Sequence, residues 1–214
     1  MTMPLRLSAV LPWAAAVFFS LLFHFRGLGP LDFWWGMGAI IVVLVGTAVF
    51  ADEGFRRSLR EDLKEGIARK VVLGVLTAVF LYLVFFAGNA LSRRVLPFAG
   101  GGIDAVYGFK PGVLPWRVGL LLAFLIGPGE ELFWRGWLQR SWQERFGPAA
   151  LPLATALYAV VHIASGNPML VLAAAVCGVY WGFLYRRFNS VLLVAVSHTI
   201  WDLMVFLLLP FTAA

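Results

Sequence analysis

Seven stretches of this chain are apolar for roughly the length of a membrane crossing: 8–25, 31–50, 71–91, 114–138, 149–164, 169–185 and 190–211. A hydrocarbon core about 30 Å thick takes about 20 helical residues at about 1.5 Å each. The stretches are continuous rather than alternating, which predicts helices and excludes a transmembrane β-barrel. Breaker residues separate them at Arg26-Gly27-Leu28-Gly29-Pro30, Phe146-Gly147-Pro148 and Ser165-Gly166-Asn167-Pro168, where helices would stop. The expected fold is all-α, a polytopic membrane bundle of about seven helices, eight if one break is misplaced. It forms a single membrane domain over 1–214, with three N-terminal helices across 8–91 and the remainder across 114–211.

The polar stretch 52–70 carries six basic and five acidic residues and reads as a short amphipathic or surface helix in water. The first apolar stretch follows Arg6 and ends in His24-Phe25-Arg26 rather than at a small-residue cleavage site, so it is expected to be a retained anchor. Alternation of spans puts Arg6, the 52–70 segment, Arg140, Arg145, Arg186 and Arg187 on one face, eleven basic residues in all. Arg26, Arg93, Arg94, Lys110 and Arg117 fall on the other. The positive-inside rule then favours a multi-pass protein of the inner (cytoplasmic) membrane with its N-terminus in the cytoplasm.

Composition agrees with lipid as the main solvent. Of 214 residues, 61% are hydrophobic and 13% charged, and the mean hydropathy is +0.87; a soluble domain is nearer half apolar and a quarter charged. The net charge of +6 reports topology here and not a nucleic-acid partner. Cys177 is the only cysteine, which excludes an intramolecular disulfide and a thiolate metal site of its own. Trp13, Trp34, Trp35, Trp116 and Trp201 suit helix ends and headgroup belts.

Against this background three acidic residues stand out. An ionisable group at the centre of a membrane helix costs about 2.5–3.5 kcal/mol on insertion scales, so such groups face a protein interior or a wet cavity. Eight of the eleven acids lie in loops or at helix edges; Glu130, Glu131 and Asp202 do not. On a helix Glu131 and Arg135 are four apart and share a face, where they can pair. Glu130 is turned about 100° away and has no intrahelical cation, which suits a general base. The preceding Gly127-Pro128-Gly129 should loosen the helix. Locking α-helices together is the plainer use of such charges.

Two of the three histidines also lie in apolar stretches. Tyr158 precedes His162 by four, and Asp202 follows His198 by four, so each pair shares a helix face. A buried acid pair, an arginine, two histidines and a further acid at cytoplasmic-to-middle depth make a hydrolytic or metal site.

Glu130-Glu131-x-x-x-Arg135, Tyr158-x-x-x-His162 and His198-x-x-x-Asp202 resemble, in order and separation, the three motifs of the CAAX protease and bacteriocin-processing family. That family comprises intramembrane glutamic endopeptidases related to the Ras-converting CAAX prenyl protease. The resemblance spans about 114–210; the first three helices match nothing specific. It implies peptide-bond hydrolysis by an activated water, without an obligatory cofactor. Glu130 and His162 would hold and deprotonate the water, Glu131 and Arg135 would brace the site, and His198 with Asp202 would stabilise the oxyanion. Two departures are Tyr158, where relatives usually have Phe, and Asp202, where better-studied relatives have Asn. An ionised Asp cannot donate to an oxyanion, so Asp202 is expected to orient His198 as a triad aspartate does.

Zinc is the alternative, since Glu, His, His and Asp can all ligate it, but no His-Glu-x-x-His spacing is present. A non-catalytic peptide-binding or immunity protein could keep the same cavity, yet it would have little reason to bury this set of charges. A proton-coupled transporter is disfavoured because no inverted repeat of broken helices is visible. The expected partners are the lipid bilayer and a peptide or membrane-protein substrate, matured or trimmed near a terminus and approached from the cytoplasmic side.

Overall fold

The computed structural model describes residues 5–108 and 113–211; Lys110, assigned above to one face, lies outside the described residues. Each of the seven apolar stretches is helical. Helix α1 spans Leu5–Phe25, followed by a two-residue antiparallel pair, β1 (Gly27–Leu28) and β2 (Leu31–Asp32). Then come α2 (Phe33–Ala51), α3 (Glu53–Asp62), α4 (Ile67–Val95) and α5 (Ala99–Tyr107). Helix α6 covers 115–146 and contains two π-helical segments. It is followed by α7 (Ala150–Ile163), α8 (Pro168–Phe188) and α9 (Val191–Leu208).

Among the described residues, five stretches are long and apolar enough to cross a membrane: Phe33–Ala51, Ile67–Val95, Pro115–Ile163, Pro168–Phe188 and Val191–Leu208. The third comprises α6 and α7, which part at Gly147, where φ is +55°, a conformation glycine adopts without steric penalty. One of the seven expected spans is therefore short: α7 has 14 residues, closed off by a turn with Gly166 at φ +67°.

Side-chain caps start the helices where the breakers predict. Asp32 accepts from Trp34 N and Trp35 N, Asn167 from Met169 N, and Ser190 from Leu193 N; each satisfies backbone donors that the helix cannot. Helix α9 is packed against α4, α8 and the middle of α6, while α7 lies between α8 and α1. The outward faces are apolar: Val72, Leu76, Phe80 and Leu83 of α4 and Val179 and Phe183 of α8 are exposed. That is the surface of a multi-pass membrane protein, in which apolar groups meet lipid.

The polar groups divide between the two ends of the bundle. At one end Asp52 caps α3 through Phe55 N and meets Arg140 at 2.6 Å, while Asp62 pairs with Lys70 at 3.0 Å and accepts from Leu192 N. The 52–70 segment is therefore not simply solvated; Phe55 is fully buried. At the other end Arg117 pairs with Asp32, Arg93 bonds Asp104 and the Phe211 carbonyl, and Asn167 donates to the Gly102 carbonyl. The tryptophans are corrected in part. Trp13, Trp35 and Trp116 are exposed as belt residues should be, but Trp34 and Trp201 are buried in the core, with Trp134, Trp137 and Trp181. Burying a large ring among helices outweighs the headgroup preference wherever the position faces inward.

Candidate active site

Both glutamates sit on a short α-helical turn, Gly127–Glu131, between the π segments Leu122–Ile126 and Leu132–Gln139. The flanking glycines set how closely this turn packs. A Cβ on Gly127 would lie 2.6 Å from Thr199 Oγ1, and one on Gly129 would lie 2.2 Å from Ile41 Cγ2. Without side chains there, α6 is pressed onto α9 on one side and α2 on the other.

The close approach delivers Glu131 to α9. Its Oε1 accepts from Arg135 Nη1 at 2.8 Å, the i,i+4 pair that the spacing predicts, and also from His198 Nδ1 at 2.8 Å. Glu131 is fully buried and Arg135 is 2% exposed, so the pair is shielded from screening. The guanidinium is further enclosed by the Tyr158 ring at 4.7 Å and the Trp181 ring at 5.6 Å, a cation–π environment.

Glu130 points elsewhere. Its Oε2 accepts from the Tyr158 hydroxyl at 3.4 Å and lies 3.6 Å from His198 Nε2. Asp202 Oδ2 faces the same nitrogen at 3.5 Å. Asp202 was expected to orient His198; in the structure it faces Nε2, while Glu131 has Nδ1. The reason is the ring's plane. His198 lies flat on the Trp181 indole, with centroids 3.8 Å apart and planes 22° apart, which turns Nδ1 toward α6 and leaves Nε2 for Glu130 and Asp202.

His162 occupies the last turn of α7. Its Nδ1 is 2.7 Å from the Tyr158 carbonyl; a carbonyl only accepts, so Nδ1 carries hydrogen, and in the neutral ring Nε2 is left as an acceptor. The ring packs on Phe23 and Tyr158 at 4.5 and 5.0 Å. His162 and Glu130 make no direct hydrogen bond. They face the same cavity, about 290 Å³, which Tyr158, His198 and Asp202 also line.

The cavity is otherwise mostly apolar, and it extends away from the charged 52–70 segment. It runs from the site past Phe85, Asn89 and Ser92 of α4, Tyr107 of α5, Met169 of α8 and Phe211. Those residues lie toward the end of the bundle that carries α5, opposite the 52–70 segment. Approach from the cytoplasmic side, taken as that of the charged segment, was expected from membrane depth and from the family resemblance together. The short α7 puts His162 one residue from its far end, and the cavity follows.

Sequence reasoning missed several parts of this site. Trp181 has no polar motif around it to single it out. Gln139 donates to the Gly182 carbonyl at 2.9 Å and ties α6 to α8. Phe23 and Ile41 come from helices that match no motif. Among the described residues no group of three or more His, Cys, Asp or Glu side chains is placed to hold a metal ion.

Comparison with known proteins gives one finding. Residues 112–204 match a family model described as type II CAAX prenyl endopeptidase, Rce1-like; all six acidic, basic and imidazole residues of the site fall inside that stretch. No curated protein and no solved structure matches the chain.

Proposed function

We propose, from the premise that residues 112–204 belong to the Rce1-like family of type II CAAX prenyl endopeptidases, that this chain is an intramembrane endopeptidase of the glutamate-dependent type. Its substrate is a peptide or a membrane-protein segment, matured or trimmed near a terminus, whose apolar part lies in the cavity and enters from the α5 end.

One observation carries this reading. Arg135 is the only buried arginine among the described residues, and it is committed to Glu131. Glu130 is thereby left with an oxygen on the cavity, between the Tyr158 hydroxyl and His198. In the reaction Glu130, aided by His162 Nε2, takes a proton from water while the water oxygen bonds to the scissile carbonyl carbon. The carbonyl oxygen becomes an oxyanion and accepts from His198 Nε2–H, which Glu131 positions through Nδ1. Collapse breaks the C–N bond, and the departing nitrogen receives the proton held by Glu130, leaving a carboxylic acid and an amine.

The test is Glu130→Gln in purified protein reconstituted in lipid, with a substrate identified as a protein that accumulates unprocessed when the chain is deleted. The substitution keeps shape and removes the base, so kcat should fall about 10²-fold or more, with the melting temperature nearly unchanged. Turnover equal to the parent's would sink the glutamate mechanism.

A further inference from the structure

The ring plane of His198 is set by a residue outside all three motifs. Trp181 of α8 is fully buried, and its indole face covers the imidazole at 3.8 Å. Its Nε1–H donates to Ser197 Oγ at 3.2 Å, and Ser197, also fully buried, immediately precedes His198 on α9. One turn of α9 thus grips the indole by its edge and lays the next side chain over its face. Trp201 closes the assembly edge-on, at 5.7 Å and 80°.

We propose that Trp181 is a positioning residue for the reaction: anchored by Ser197, it fixes the plane of His198 so that Nδ1 meets Glu131 and Nε2 faces the cavity. This rests on the reading of His198 as the oxyanion donor. The surroundings of the ring are consistent with such work. Carboxylates of Glu130, Glu131 and Asp202 lie around its edge at 2.8–3.6 Å, and a π face lies beneath it, which attracts a cation. Arg135 shares Glu131 Oε1 with His198 Nδ1 and lies 5.6 Å from the Trp181 ring centroid, its charge countered by Glu131. The other site histidine has no such platform: His162 meets its aromatic neighbours tilted or edge-on, at 41° and 67°. An indole present only to fill space would need neither the Ser197 anchor nor a parallel face.

The experiment compares Trp181→Phe, Trp181→Leu and Ser197→Ala in full-length protein. Two readouts are used: kcat and KM, and the ring-proton resonances of His198 in histidine-labelled protein in micelles, assigned by their loss in His198→Asn. The parent should show His198 ring protons displaced upfield by the indole face. Trp181→Leu should abolish the displacement and lower kcat about 3- to 30-fold, the size of a buried cation–π contact, with KM little changed; Trp181→Phe should restore most of both. Ser197→Ala should reduce the displacement and kcat together, and it carries the test if the leucine variant does not fold. Undisplaced resonances in the parent, or a leucine variant with parental kcat, would overturn the proposal. Should His198→Asn itself keep parental turnover, it is the oxyanion assignment that fails, while the resonances still report the stacking.

Discussion

Removing the guanidinium of Arg135 leaves Glu131 as a fully buried carboxylate whose only remaining partner among the described residues is His198. The ion pair is at 2.8 Å with side chains 3% and 0% exposed, so neither water nor salt can replace the missing charge. Breaking a buried pair from one side costs about 3–5 kcal/mol. The contacts of Arg135 with Tyr158 and Trp181 add to the loss at about 0.5–2 kcal/mol, and the retained His198 bond offsets a similar amount. For Arg135→Ala we therefore expect a net loss of about 3–5 kcal/mol. At roughly 2–4 °C per kcal/mol for a chain of this size, that is a fall of about 6–20 °C in Tm. Cys177 supplies the assay, because it is the only cysteine and is buried: a thiol-reactive fluorophore reports unfolding in detergent without any other label. Glu131→Gln/Arg135→Met, which removes both charges, should melt above Arg135→Ala, since no uncompensated ion stays behind. A single alanine variant that melts within about 2 °C of the parent would refute the claim that this pair holds the site together.

Two further outcomes follow from the geometry. Since Glu131 holds His198 Nδ1 and Asp202 only faces Nε2 at 3.5 Å, Asp202→Asn should lower kcat by less than about tenfold; a loss of 10²-fold or more would return the orienting role to Asp202. If Glu130 and His162 activate water unaided, dialysis against a strong chelator should leave turnover intact and elemental analysis should find zinc well below one per chain. Zinc at one per chain, with activity lost on chelation and restored by zinc alone, would replace the glutamate mechanism with a metal-assisted one.

The i,i+4 relations in the sequence are legible because helix geometry alone imposes them. Glu131 with Arg135, Tyr158 with His162 and His198 with Asp202 each share a face whatever the bundle does around them. The cross-helix partners are not so readable. That Glu131, and not Asp202, takes His198 Nδ1 depends on the rotation of α9, which packs on α4 and α6, and on the plane of one ring, which lies on Trp181 of a further helix. The tryptophans show the same limit: composition places them at headgroups, while inward-facing positions on α2, α6, α8 and α9 bury five of them. The count of spans is legible to within helix length: Gly147 and Gly166 bound α7 in the sequence, but the 149–164 stretch counted as a full span forms a helix of only 14 residues. The direction of the cavity could not be read at all, since it is a space left among α4, α5, α8 and the C-terminal end of α9.

The Gly127-Pro128-Gly129-Glu130-Glu131 segment works as a unit. A proline inside a helix removes a backbone donor and crowds the preceding turn; here the preceding turn is a π segment, whose wider ladder absorbs the missing bond. The two glycines then let the turn approach α9 and α2 more closely than any Cβ allows. Close approach is what puts a short carboxylate within 2.8 Å of an imidazole on another helix, without a water or a longer side chain between them. The second π segment, Leu132–Gln139, begins directly after the acid pair and carries Arg135 back to Glu131 and Gln139 on to α8. α-Helical spacing is regained after Gln139, so the two π segments bracket the α-helical turn that bears the acid pair. The helix gives up regularity on either side of the turn whose carboxylates must reach α9, and the turn itself stays α-helical.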